Sequence, residues 1–119
     1  MPQVRIINVS KNTTLAEKAK LADNFFQRLI GLMGKANLPA GGALILKPCT
    51  SIHTIFMRFP IDVAFTDKKN QIIKIYHSLS PWRLTGVSLN SALCLELPPG
   101  TLAATRSQIG DTIQLVNNL

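Results

Sequence analysis

The stretch Ile61-Asp62-Val63-Ala64-Phe65-Thr66-Asp67-Lys68-Lys69-Asn70-Gln71-Ile72-Ile73-Lys74-Ile75-Tyr76-His77 decides the fold class. Ile61, Val63 and Phe65 alternate with Asp62, Ala64 and Thr66, the period of a strand with two unlike faces. Asp67-Lys68-Lys69-Asn70 is a turn, and the apolar run resumes at 72–77. The pattern predicts a β-hairpin. Downstream, Leu93, Leu95 and Leu97 alternate with Cys94 and Glu96 until Pro98-Pro99-Gly100 stops the strand. Ile109-Gly110-Asp111 then turns into a last strand at 112–116. Upstream, a short apolar strand at 43–47 follows the turn Leu38-Pro39-Ala40-Gly41-Gly42. Val4, Ile6 and Val9 place a first strand at about 3–9. Residues 13–21 fit either a strand or a lead-in.

One segment reads as helix. Across 23–34, Phe25, Phe26, Leu29, Ile30, Leu32 and Met33 form a wide apolar stripe. Asp23 can cap the first-turn amides, and Gly34 can close the last turn in the left-handed conformation. Gly31 costs about 1 kcal/mol inside a helix, a cost offset where the backbone packs closely against a strand. The expected architecture is therefore α+β and β-rich. Its mostly antiparallel sheet curls towards a barrel, with one main helix (about 23–34) covering an open face.

Composition bounds the function classes. The chain has 119 residues, 46% hydrophobic and 16% charged, which excludes disorder and predicts one domain over 1–119. No apolar run reaches the roughly 18 residues of a membrane span, and the opening residues lack a secretory apolar stretch, so a cytoplasmic location is expected. In that compartment Cys49 and Cys94 are expected to be free thiols. Two Cys and two His scattered along the chain are too few for a structural zinc site, so no metal and no cofactor are expected. The net charge of +7 raises nucleic acid as a partner. The cations are dispersed, however, and Lys68-Lys69 occupy a hairpin tip. The sequence supports diffuse attraction to polyanions rather than sequence-specific binding.

Five stretches carry a family resemblance: Phe26-Gln27-Arg28-Leu29-Ile30-Gly31-Leu32-Met33, the run from Cys49 to Val63 containing Ile52-His53-Thr54 and Met57-Arg58-Phe59-Pro60-Ile61-Asp62, Pro81-Trp82-Arg83, Leu95-Glu96-Leu97-Pro98-Pro99-Gly100, and Ile109-Gly110-Asp111. In order and spacing, over about 13–116, the chain resembles the domain of unknown function 192 family. The resemblance implies a small β-rich fold and no established activity.

Candidate site residues follow from the chemistry of those stretches. His53, Thr54, Arg58 and Asp62 are hydrophilic in an otherwise apolar segment, so each must be satisfied or face a cavity. Thr54 beside Arg58 would make an anion cradle. The bland alternative is a buried ion pair of Arg58 with Asp62 or Glu96. Trp82 and Arg83 could stack a planar ligand, or Trp82 could plug the end of the sheet. Cys49 and His53, four apart, could form a nucleophile pair, whereas a hydrogen-bonded histidine and a small buried Cys94 are the plainer readings. The favoured function is a binding module for a small anionic or planar ligand or a protein partner. Its site would draw on His53, Thr54, Arg58, Asp62, Trp82, Arg83 and Glu96. A hydrolase-like enzyme using Cys49 and His53, and a non-specific polyanion binder, are the alternatives. These readings require the 49–62 segment and the Trp82 loop to converge on one hollow.

Overall fold

The hairpin read from 61–77 is present in the computed structural model, which describes residues 3–117. β4 (Ile61–Thr66) pairs antiparallel with β5 (Ile72–Leu79). Five further strands join them: β1 (Gln3–Asn8), β2 (Thr13–Ala22), β3 (Gly42–Leu46), β6 (Leu93–Leu97) and β7 (Ile113–Asn117). They form one sheet in the order β5-β4-β6-β3-β2-β1-β7. Five of the neighbouring pairs are antiparallel and β2–β3 is parallel. The ambiguous 13–21 segment is thus a strand, held between β1 and β3.

The sheet curls into a half-barrel. Its two edge strands approach at one corner, where a bridge joins Gln71 to Thr112. There the Ile72 amide donates to the Asp111 carbonyl at 2.8 Å, and the Gly110 amide to the Ile72 carbonyl at 2.8 Å. Asp111 ties this corner to the first turn. It accepts from buried Asn8 Nδ2 at 2.9 Å and pairs with Lys11 Nζ at 2.9 Å. Burial alone would raise the Asp111 carboxyl. The bonds from Asn8, Lys11 and the Gln108 amide outweigh it and hold the acid below the usual range.

Period-two alternation sorts the strands into two cores. Ala43, Ile45, Ala64, Leu93, Leu95 and Leu97 face the inside of the curl, packed with Ile6 and Leu102. Leu44, Leu46, Ile61, Val63, Phe65 and Cys94 face outward into a second cluster, covered by Ile52 and Met57. β4 is consequently buried at every position, including Asp62 and Thr66 on its inner face. Both faces of the central strands exclude water, as in sheets covered on two sides.

The expected main helix is not there. α1 runs only from Phe25 to Ile30. Asn24, not Asp23, caps it, accepting from the Gln27 amide at 2.8 Å. Gly31 at φ +48° ends it one turn early; Gly34 also has a left-handed φ, but beyond the helix. Space does not account for Gly31, since a Cβ there would meet Leu44 and Glu96 at the ordinary contact distances of 3.6 and 3.9 Å; the left-handed φ does. Phe26 is 71% exposed and Ile30 52%, so α1 leaves much of its stripe in solvent instead of covering an open face. The Phe25 side chain lies outside the described positions. α2 (Thr101–Ala104) is a second short helix whose Leu102 fills the inner core. Among the described residues, no helix is long and apolar enough to cross a membrane.

Candidate functional site

The chain leaving β3 crosses the outer face through a cis Lys47–Pro48 peptide and runs back as an irregular ribbon. Residues 50–54 of that ribbon are laced to 82–88. The Thr54 amide donates to the Arg83 carbonyl at 2.8 Å, Thr85 to Ile52 at 3.0 Å, and Ser88 to Thr50 at 2.8 Å. The two stretches singled out in the sequence therefore do meet, but around no common hollow. The cavity lies on the other side of the ribbon, beneath α1. It has a volume of about 280 Å³ and is walled by Arg28, Leu32, Cys49, Ser51, His53 and Glu96, among others.

Glu96 and Cys94 reach this face because they share a parity on β6, opposite to Leu95. Glu96 is 3% exposed. Burial, reinforced by the nearby Cys49 sulfur, pushes its carboxyl from 4.5 up to about 8. At neutral pH it is therefore chiefly a neutral acid able to donate a hydrogen bond. Cys94, desolvated and next to Cys49, is pushed up and keeps its proton. Its hydrogen bond to Cys49, helped by the Arg28 charge, outweighs burial and holds the Cys49 thiol below the usual range. Both cysteines are free thiols. Arg28 also donates from Nη1 to the Lys47 carbonyl at 3.3 Å.

His53 lines the cavity with both ring nitrogens engaged. Nδ1 accepts from the Ile55 amide at 3.2 Å, which places the hydrogen on Nε2, where it donates to the Leu29 carbonyl at 3.1 Å. The imidazole thereby pins α1 to the ribbon. Cys49 is not its partner, since that thiol donates to the Ser51 carbonyl at 3.1 Å.

Thr54 and Asp62 are spent on backbone. The Thr54 hydroxyl donates to the Ser80 carbonyl at 2.7 Å and accepts from the Arg83 amide at 2.8 Å, fully buried. Asp62 Oδ1 accepts from the Ser78 amide at 2.8 Å, and Oδ2 from the Leu102 amide at 2.9 Å. Neither the Thr54–Arg58 cradle nor the Arg58 ion pair with Asp62 or Glu96 forms. Arg58 is exposed, and among the described residues the ion pairs are Arg5–Glu17 and Lys11–Asp111. Trp82 is 60% exposed and packs edge-on against Phe56, with Arg83 exposed beside it, so Trp82 does not plug the sheet.

Of the seven candidates, then, Glu96 and His53 wall the cavity, together with Arg28 and Cys49. Arg28 was hidden among dispersed cations; its sequence signals were its place in the Phe26–Met33 stretch of the family resemblance and one turn before Gly31. A larger groove of about 840 Å³ lies on the far side of α1, between Phe26, Ile30, Leu38 and the Lys18, Lys20 and Lys35 rim. It has no buried ionisable group in its wall, so the smaller cavity is the better-built site.

The DUF192 family, described as an uncharacterized ACR, matches residues 6–115. A UPF0127 protein of Pyrococcus horikoshii is 31% identical over 114 residues, which cover 92% of this chain and 96% of that protein. One from Thermococcus sibiricus is 32% identical over 112 residues, covering 91% of this chain and 72% of that protein. Two crystal structures share the fold. A protein of unknown function from Novosphingobium aromaticivorans has a TM-score of 0.81 at 18% identity, covering 94% of this chain and 83% of its own. A protein from Sinorhizobium meliloti, described as a candidate transcription regulator, has a TM-score of 0.83 at 22% identity, covering 96% and 92%.

Proposed function

The chain belongs to the uncharacterised DUF192 family, and from that premise we propose that it is a binding domain that holds a small anion, such as a carboxylate, in the cavity beneath α1. The observation that carries the reading is Glu96: a residue only 3% exposed, at a cavity wall, with no cation paired to it among the described residues. An acid kept neutral by its surroundings is a hydrogen-bond donor, and an anion is the acceptor it suits. Arg28 at the same wall supplies the compensating charge. The volume sits at the small end of the roughly 300–1,000 Å³ usual for ligand pockets, so the ligand is small.

The donor role fixes the sign of the pH dependence. Anion affinity holds below the Glu96 pKa of about 8 and falls as pH rises through it, about tenfold per further unit. A cationic ligand would show the opposite slope. Thermal-shift and calorimetric titration with small carboxylates and inorganic phosphate test this. Stabilisation at about pH 6.5 is expected, lost at about pH 9.5 and lost in Arg28→Ala. Failure of every anion to bind at the lower pH removes the proposal.

A second reading, thiol chemistry, rests on Cys49 itself, whose lowered thiol opens onto the same cavity near Arg28. In this reading His53 positions the wall, and Glu96 is the proton source. Cys49 then reacts with iodoacetamide at pH 7 faster than a free cysteine does, and Cys49→Ser abolishes the fast phase. A rate at or below that of the free amino acid ends it.

A further inference from the structure

The ribbon carries apolar side chains that the fold leaves outside. Phe56, Trp82, Leu84, Val87 and Leu89 are 58%, 60%, 73%, 66% and 85% exposed. They belong to one structural unit. The Phe56 and Trp82 rings meet at 4.7 Å, and Leu84 bridges His53 across the ribbon. Phe56 and Trp82 both adopt left-handed backbone, with φ of 64° and 65°. That conformation is uncommon for large side chains and is held here by the lacing between the segments. None of the five lines the cavity beneath α1 or the groove beyond it, so they protrude and do not shape a socket.

Charge on this side has one sign. Residues 50–58 and 82–89 contain no Asp or Glu, while Arg58 and Arg83 fall within them. Arg58 and Arg83 are exposed beside the two aromatic rings. Protruding apolar groups ringed by cations, with no carboxylate to repel phosphate, complement a surface that is anionic outside and apolar beneath. Such a surface needs no socket, unlike a protein partner gripped by knobs and holes.

We propose that the ribbon formed by residues 50–58 and 82–89 is a membrane-contact surface, on which Phe56, Trp82, Leu84, Val87 and Leu89 enter the headgroup boundary of an anionic bilayer while Arg58 and Arg83 hold its phosphates. The contact is peripheral, since no spanning helix is involved. The ribbon's Ser51 and His53 also wall the cavity beneath α1, but none of the seven contact residues lines it.

Trp82 is the sole tryptophan, which makes the test direct. The full chain is titrated with vesicles of phosphatidylcholine containing phosphatidylglycerol, and with phosphatidylcholine alone. With the anionic vesicles, Trp82 emission moves to the blue and the protein co-sediments; molar salt reverses both, and neutral vesicles bind far less. The double variant Arg58→Glu with Arg83→Glu partitions at least about twentyfold more weakly. Leu84→Ser with Leu89→Ser loses the blue shift. Lys68→Glu with Lys69→Glu, at the β4–β5 turn, changes partition by less than about fivefold. All six positions are exposed, and circular dichroism verifies that each variant folds. No blue shift or co-sedimentation with anionic vesicles overturns the proposal. So does equal weakening by the Lys68/Lys69 pair, or unchanged binding of the serine variant, since either leaves only the diffuse net charge.

Discussion

Asp62→Ala lowers the stability of the fold by about 3–4 kcal/mol, roughly two charge-assisted hydrogen bonds from one buried and one partly buried amide. Asp62 is wholly buried on the inner face of β4, and each oxygen serves a different element. Oδ1 fixes the Ser78 amide near the end of β5, and Oδ2 takes the Leu102 amide in the first turn of α2. The residue before α2 is Gly100, which has no side chain to cap it, so the strand supplies the cap instead. Alanine deletes both acceptors and leaves the buried Leu102 amide and the partly buried Ser78 amide without their partner. Against a total of about 5–15 kcal/mol for a small domain, that loss is large. Urea unfolding measures it as a fall in midpoint at unchanged slope. Asp62→Asn, which keeps one acceptor, costs less. A loss under about 1 kcal/mol for Asp62→Ala would show that the two amides find other partners.

Glu96→Gln changes the pH dependence of stability more than any other single substitution. In the unfolded chain the carboxyl titrates near 4.5; in the folded chain it holds its proton to about 8. Between those values the folded state binds more protons than the unfolded state, so stability falls as pH rises. The slope approaches 1.4 kcal/mol per pH unit at most, and stability levels off above about 8. Glutamine occupies the same volume with no charge to desolvate. The variant is therefore more stable than the parent at about pH 8.5, by on the order of 5 kcal/mol, and the difference shrinks towards pH 4.5. Thermal melts of both proteins across this range decide it. Parallel profiles would mean that Glu96 is solvated through the cavity mouth, and would also remove its donor role in anion binding.

Much of the sheet was readable from alternation. The strands at 61–66, 72–77, 93–97 and 112–116 fall where the period-two pattern puts them, within a residue or two at the ends. Curling was legible in the number of short strands. Two things were not. The parallel β2–β3 pair depends on the 23–41 crossover, whose helix is only six residues long and gives no standard βαβ signature. The helix itself was overread: its stripe from Phe25 to Met33 looks continuous, but Gly31 adopts a backbone that ends the helix against Leu44. In the site, polarity within an apolar segment picked out His53, Thr54, Arg58 and Asp62 alike. Such a pattern does not distinguish a group that satisfies stranded backbone amides from one that faces a cavity. His53, Thr54 and Asp62 bind backbone and Arg58 is exposed, whereas Glu96, from the separate 95–100 stretch, stands at the cavity wall. Cys94, read as a small apolar side chain, shares its strand face with Glu96, and that parity was the available clue to its role.

The place of β1 between β2 and β7 has a consequence for synthesis. β2 follows β1 within a few residues, whereas β7 is the last strand to be translated, some hundred positions later. Throughout that interval the nascent chain exposes one bare edge of β1, an open template for any other strand it meets. The half-barrel is complete only once residues 113–117 have cleared the ribosomal exit tunnel, so translation halted before that point would yield a sticky product instead of a smaller stable one.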